Sequence, residues 1–328
     1  MLHRSSVPAA LLRLALLLGA VSAATAARPL PLEWPELDFI DYRMAYLGAS
    51  LLPPVPADHV TGKREFLSRA PFLQTPSGLA LDLDALPADL ASQLAAASAA
   101  THQLAAADFQ ALGSPDYLAA RPFPLSTADL FAQQGIPGER WDTVLTDSLI
   151  TRSTRRIHFR TDVVLEALLD KREVPPGTVF IAEDLGGRGE VLETHVTQMR
   201  ADYRVDFALY GKDGHRRLES ESHPEKFQAP LSCFTCHAKT SQRPSPFWEF
   251  PDAAPVQEGF QPKVHESLTP GEARLVHRLW RAKQDSDVFG SYTGLAAIRL
   301  KRRAAAGPVP AWASDLRKRI DQQFPSHP

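Results

Sequence analysis

Cysteine is scarce in this chain. Two residues among 328 exclude a framework of several disulfides and leave no thiols for a second thiol-bound cofactor. Charge of one sign is missing as well. The 36 basic and 38 acidic side chains give a formal charge of -2, and no clustered basic stripe of the kind a nucleic-acid binder carries is present. Past the first residues, no apolar run approaches the roughly 20 residues that a membrane-spanning helix needs. No glycine-rich phosphate loop and no hydrolase nucleophile constellation occur. Methionine is reduced to Met1, Met44 and Met199, and lysine is missing from Arg64 to Asp170 and again from Thr178 to Tyr210.

What the chain does have begins with an export signal. Arg4 supplies a positive start, Ala9 to Ala20 forms a short apolar run, and Val21-Ser22-Ala23 and Ala24-Thr25-Ala26 offer small-residue cleavage sites. The expectation is a signal peptide over residues 1–26, a periplasmic mature protein and no membrane span after cleavage. The apolar content of 44% is enough for one large or two small cores.

Both cysteines fall in one late motif, Cys233-Phe234-Thr235-Cys236-His237. In C-x-x-C-H, two thiols three apart lie on one side of a helical turn and can bond the two vinyl groups of one porphyrin, and the following imidazole reaches the iron. A structural zinc would need a fourth ligand that the motif lacks. A thioredoxin-like pair would follow the first strand of a βαβ unit, not a series of strands. Export fits the haem reading, because thioether attachment takes place outside the bacterial cytoplasmic membrane. One haem c per chain is expected, with Cys233 and Cys236 as thioether anchors and His237 as proximal ligand.

Spacing along the chain places this motif. Leu30 to Pro56 reads as extended, with a helix over Ile40 to Leu51. Leu81 to Ala120 is alanine-rich, and Asp89 to Leu94 and Gln103 to Leu112 have helical spacing. This stretch reads as packing material around a core built elsewhere. Arg156 to Phe159 alternates like a strand, and Thr161 opens a short helix that Pro175-Pro176-Gly177 follows with a turn. Thr178 to Ala182, Val191 to Arg200 and Tyr203 to Tyr210 read as strands, the last alternating at Tyr203, Val205, Phe207 and Leu209. Gly186 to Gly189 read as a hairpin tip between the first two, and Lys212-Asp213-Gly214 closes the last with another turn. An antiparallel meander thus runs into Pro230 and the haem motif. Thr269-Pro270-Gly271-Glu272 is a capping box ahead of a helix striped by Leu275, Val276, Leu279 and Trp280. A last helix runs from Ala311 to Phe324 with Trp312, Leu316, Ile320 and Phe324 four apart. The fold class is α+β: an antiparallel β-meander carrying a late C-x-x-C-H haem site, with helical N- and C-terminal flanks. The divisions are 27–150, a mostly helical or irregular region; 151–250, the haem domain; and 251–328, a helical region.

The order of a meander and then C-x-x-C-H resembles the cytochrome P-460 family and its β-type cytochrome c′ relatives. The likeness rests on Arg155 to Phe159, Val174 to Val179, Val196 to Met199, Asp206 to Tyr210 with Asp213-Gly214, and Cys233 to His237, over roughly residues 150–240. It implies a periplasmic protein with a mainly antiparallel sheet that often dimerises and binds or oxidises hydroxylamine or nitric oxide. The oxidising members crosslink a strand lysine to the porphyrin, and this chain has none between Thr178 and Tyr210. An electron-carrier cytochrome c would place its motif near the N-terminus and a methionine ligand after it, and no methionine follows His237.

The sixth iron position separates carriers from gas binders. Met199 is the methionine candidate. His195, His223, His265 and His277 are alternative ligands, and His158 and His195 would equally serve as polar groups over an open iron. Phe227, Phe234, Phe247, Trp248 and Phe250 are candidate walls for the porphyrin, and Lys239 and Arg243 candidate partners for its propionates. The expected function is haem-based electron transfer with redox protein partners. The alternative is a five-coordinate haem that takes small nitrogen oxides, and as an enzyme it would be a hydroxylamine or nitric oxide oxidoreductase.

Overall fold

The architecture comes from a computed structural model that describes residues 28–33, 47–48, 50–52, 71–147, 153–172, 174–200, 205–222, 228–233, 268–282 and 290–325. Residues 1–26, read from the sequence as an export signal, Met44, Tyr203, His223, Phe227, the segment from Phe234 to Phe250 with Cys236 and His237, and His265 lie outside these residues. So do the side chains of His277 and Trp280.

Three short strands come first: β1 (Pro29–Pro31), β2 (Phe72–Thr75) and β3 (Gly78–Asp82), antiparallel in the order β1-β3-β2. Helices α1 (Ala88–Ala97), α2 (Ala106–Ala119) and α3 (Thr127–Gln134) follow. Ser126 caps α3, accepting from the Asp129 amide at 3.1 Å, and Gly135 ends it at φ +66°, a left-handed stop that glycine adopts without a Cβ penalty. The main sheet then begins with β4 (Trp141–Asp147) and β5 (Thr154–Arg160), crosses α4 (Thr161–Leu169), and continues through β6 (Val179–Leu185), β7 (Val191–Met199), β8 (Val205–Tyr210) and the short β9 (Arg216–Arg217). Its order is β4-β5-β6-β7-β8-β9, with each neighbour antiparallel. Helices α5 (Pro270–Ala282), α6 (Gly290–Ala306) and α7 (Ala311–Gln323) complete the described chain. The protein is therefore α+β with a six-stranded antiparallel meander.

Strand alternation sends side chains to two covered faces. Val144, Ile157, Phe159, Phe180, Met199, Val205 and Phe207 enter the main core, which runs from Leu30 to Ile320 and includes α1, α2 and the C-terminal helices. Val179, Ile181, Val196, Ala208 and Tyr210 enter a smaller one beneath Phe123, Leu130, Phe131 and Ile136. All six residues of β8 are buried, so the apolar-polar alternation expected for that strand gives way to a strand covered on both sides. Burial raises the Tyr210 phenol to about 12.

Two regions differ from the sequence expectation. The sheet opens at Trp141, ahead of the boundary at 151, because β4 pairs with β5 along its whole length. The alanine-rich stretch begins as strand β3, and its Leu81, Leu90, Leu94, Phe109 and Tyr117 lie in the main core. It builds that core; it is not packing around one made elsewhere.

The capping box closes as the sequence indicates. The Thr269 amide donates to Glu272 Oε2 at 2.7 Å and the Glu272 amide to Thr269 Oγ1 at 3.3 Å. Arg302 from α6 grips the same carboxylate at 2.7 and 2.9 Å. Close crossing of α5 and α6 requires Gly294, where a Cβ would stand 2.9 Å from Val276 Cα. The Arg302 hydrogen bonds, opposed by partial burial and helped by Thr269, hold Glu272 down to about 2. Since this folded value lies below the ordinary one, the contact's stabilisation is complete above about pH 4.5 and is lost as pH falls toward 2. Thr269→Ala is expected to lower stability by about 1 kcal/mol and to reduce the acid sensitivity of that helix pair. Denaturant unfolding of both proteins across that pH range checks this.

Candidate functional site

The chain's return from the meander positions the first cysteine. Beyond β9, Glu219 bridges to Gln228, and the Ala229 amide donates to the Leu218 carbonyl at 2.6 Å. The Gln228 amide donates to Ser232 Oγ and the Ser232 amide to the Gln228 carbonyl, both at 2.9 Å, which starts a helical turn over residues 231–233. Gln110 of α2 donates to the Gln228 side chain at 2.6 Å and fixes the turn to the helical layer. Leu231 is buried in the main core, and partly buried Cys233 packs against it. Cys233 therefore stands on a helical turn with an apolar seat, as a thioether-bound porphyrin would need. Its companions Cys236 and His237 lie outside the described residues, so the fit rests on Cys233 and on the donor set of the motif.

Met199, the candidate sixth ligand, ends β7 at 4% exposure within the same core. Its amide donates to the Thr178 carbonyl at 2.9 Å and its carbonyl accepts from Gly177 at 2.7 Å. His158 lies on the opposite face of the sheet. Nδ1 stands 3.0 Å from Thr143 Oγ1, Nε2 stands 2.8 Å from Glu183 Oε2, and Phe131 meets the ring edge-on at 5.2 Å. Burial would raise the Glu183 carboxyl, but the His158 hydrogen bond and charge and Arg156 outweigh it and hold it low.

His195 belongs to a different group. It lies on the main-core face of β7 with Glu193, whose cross-strand partner is Asp184 of β6. Arg155 of β5 faces Asp184 in turn and clamps its carboxylate with donors at 2.6 and 3.1 Å. His195 Nε2 stands 3.4 Å from Asp184 Oδ2 and 3.7 Å from Glu193 Oε2. Burial opposes the Asp184 charge, yet the His195 hydrogen bond and the Arg155 charge and hydrogen bond keep that carboxyl well below the usual range.

A further buried polar network joins α2 to β8. Asp206 accepts from Arg121 Nε at 2.7 Å, from the Tyr117 hydroxyl at 3.1 Å and from Arg200 at 3.5 Å. The same Tyr117 oxygen accepts from the Phe207 amide at 2.8 Å, and the Arg121 guanidinium lies 4.6 Å over the Tyr117 ring. Burial works against the Arg121 charge, but Asp206 and Tyr117 raise its pKa above the ordinary value.

Of the residues singled out in the sequence, the structure brings Cys233 and Met199 to one core and sends His158 and His195 to separate polar groups. Asp184 and Glu193 were not anticipated. The available signal was Glu193-Thr194-His195, two ionisable side chains on the strand face that also carries Met199. No helix among the described residues is long and apolar enough to cross a membrane. No family model matches the chain, and no curated protein or solved structure matches it.

Proposed function

We propose that the chain is an exported monohaem c-type cytochrome that passes single electrons between redox protein partners in the periplasm. The observation that carries this reading is Cys233-Phe234-Thr235-Cys236-His237, which uses both cysteines of the chain. Cys233 and Cys236 anchor the porphyrin and His237 binds the iron. Haem supplies the one-electron couple. The polypeptide supplies the setting: Leu231 and the apolar core against which Cys233 packs exclude water, and low dielectric favours the less charged oxidation state. Met199 is the sixth ligand of this reading, drawn from the same core.

A second reading, a five-coordinate haem that binds or oxidises small nitrogen oxides as in the cytochrome P-460 family, is favoured by one observation. No methionine follows His237 in the sequence, which leaves the usual carrier ligand position without its residue. Hydroxylamine oxidation of the family's crosslinked type is disfavoured, since β6, β7 and β8 carry no lysine.

Optical spectra of the ferrous protein with and without carbon monoxide decide between the two. A carrier is expected to be low-spin and to keep its spectrum under the gas, and Met199→Ala is expected to open the iron to it. A wild-type spectrum that shifts under carbon monoxide supports the gas-binding reading, and an unchanged spectrum in Met199→Ala removes Met199 as ligand.

A further inference from the structure

The face of the meander that packs on the main core is apolar along most of its length, but its end nearest the β6–β7 turn is not. Asp184 and Glu193 are direct cross-strand partners, and His195, two residues beyond Glu193, is the diagonal neighbour of Asp184. The direct partners of His195 are Ala182 and Leu209, so the imidazole lies between apolar neighbours on this face. Register alone therefore converges one imidazole and two carboxylates.

Each carboxylate is held from behind. Ser220 Oγ and the Ser222 amide, the latter at 3.0 Å, both donate to Glu193 Oε1. Arg155 clamps Asp184 from the neighbouring strand. Donors of this kind orient metal ligands in known sites. The other Glu193 oxygen, Oε2, is buried on a side chain with 1% exposure and has no hydrogen-bond partner. A buried carboxylate oxygen without a donor is costly and calls for a counterpart. With His195 as a neutral metal ligand, the cluster sets two carboxylates against one guanidinium, so a cation is the counterpart that charge favours.

The spacing also fits a metal. One ligand atom from each of the three residues lies within 4.8 Å of the others, and the two distances from His195 Nε2 are 3.4 and 3.7 Å. Ligands about 2.1 Å from a tetrahedral ion stand roughly 3.4 Å apart. We propose that Asp184, Glu193 and His195 bind one divalent cation of the zinc class, with water in the remaining position. Mixed imidazole and carboxylate ligands suit zinc and its first-row neighbours over calcium or magnesium. The site uses no residue of the haem motif and stands or falls apart from it.

The probe is zinc alone, added to chelator-treated haem-loaded protein and followed by equilibrium dialysis, with cobalt as a coloured substitute. Wild type is expected to take up one equivalent and to show the intense visible bands of four-coordinate cobalt. His195→Ala and Glu193→Gln are expected to bind at least tenfold more weakly, and zinc is expected to raise the melting temperature of wild type but not of these variants. Glu193→Gln keeps the Ser220 and Ser222 contacts, so it tests the site even if His195→Ala fails to fold. No zinc uptake by wild type overturns the proposal, as does one equivalent bound equally well by both folded variants.

Discussion

Replacing Asp206 with alanine is expected to destabilise the fold by about 3–5 kcal/mol, the usual result of stranding a buried charge. Asp206 faces Arg121 and Arg200, with side-chain exposures of 8% for Asp206, 8% for Arg121 and 5% for Arg200. Removing the carboxylate leaves both guanidiniums in the interior without it and takes the acceptor from the Tyr117 hydroxyl. Against a total stability of about 5–15 kcal/mol, the loss is large enough to halve the denaturant midpoint or to prevent folding. Tyr117→Phe removes a milder contact and is expected to lose about 1–3 kcal/mol, because the buried Phe207 amide then lacks its acceptor. Urea unfolding monitored by tryptophan fluorescence measures both. An Asp206→Ala protein with wild-type stability would mean that these guanidiniums reach water and that α2 does not depend on this network to hold β8.

The double substitution Cys233→Ala with Cys236→Ala is expected to abolish covalent haem altogether. Haem staining of the denatured variant should be blank and its mass that of the polypeptide alone. Cys233→Ala by itself leaves Cys236 and one sulfur bridge, so it should keep some stain with a shifted absorption maximum. If Cys233 were merely a partly buried side chain packed against the core, both variants would stain as the parent does.

Much of the architecture was legible in the sequence, for reasons that can be assigned to residues. Thr161 to Leu169 stood out as a helix because Val164, Leu165, Leu168 and Leu169 repeat at helical spacing, and all four are buried. Thr269 and Glu272 announced a capping box because the pairing is local. The meander from β6 to β8 was marked by its turn residues: Gly189 and Gly214 adopt φ of +82° and +75°. What stayed hidden depended on distant partners. Trp141 to Asp147 alternates polar and apolar residues too irregularly to stand out, and it becomes a strand by pairing with Thr154 to Arg160. Leu81 and Asp82 were read with the alanine-rich stretch because the strand character of Gly78 to Asp82 comes from β1 and β2 on either side. The burial of Ala208 and Tyr210 on the other face of β8 depends on a second layer around Phe123 and Leu130. The C-x-x-C-H motif stands out in the sequence because its residues are consecutive, Cys233 to His237. The Asp184, Glu193 and His195 group does not, because its members meet only through sheet register.

On the proposed reading, the two sulfurs of the late C-x-x-C-H motif, Cys233 and Cys236, carry a porphyrin. Intact mass spectrometry of the mature protein, produced in a host that matures c-type cytochromes and extracted with acidified acetone, tests it most directly. The account predicts a coloured polypeptide heavier by a single haem that the solvent does not remove. A colourless product at the bare polypeptide mass would contradict it.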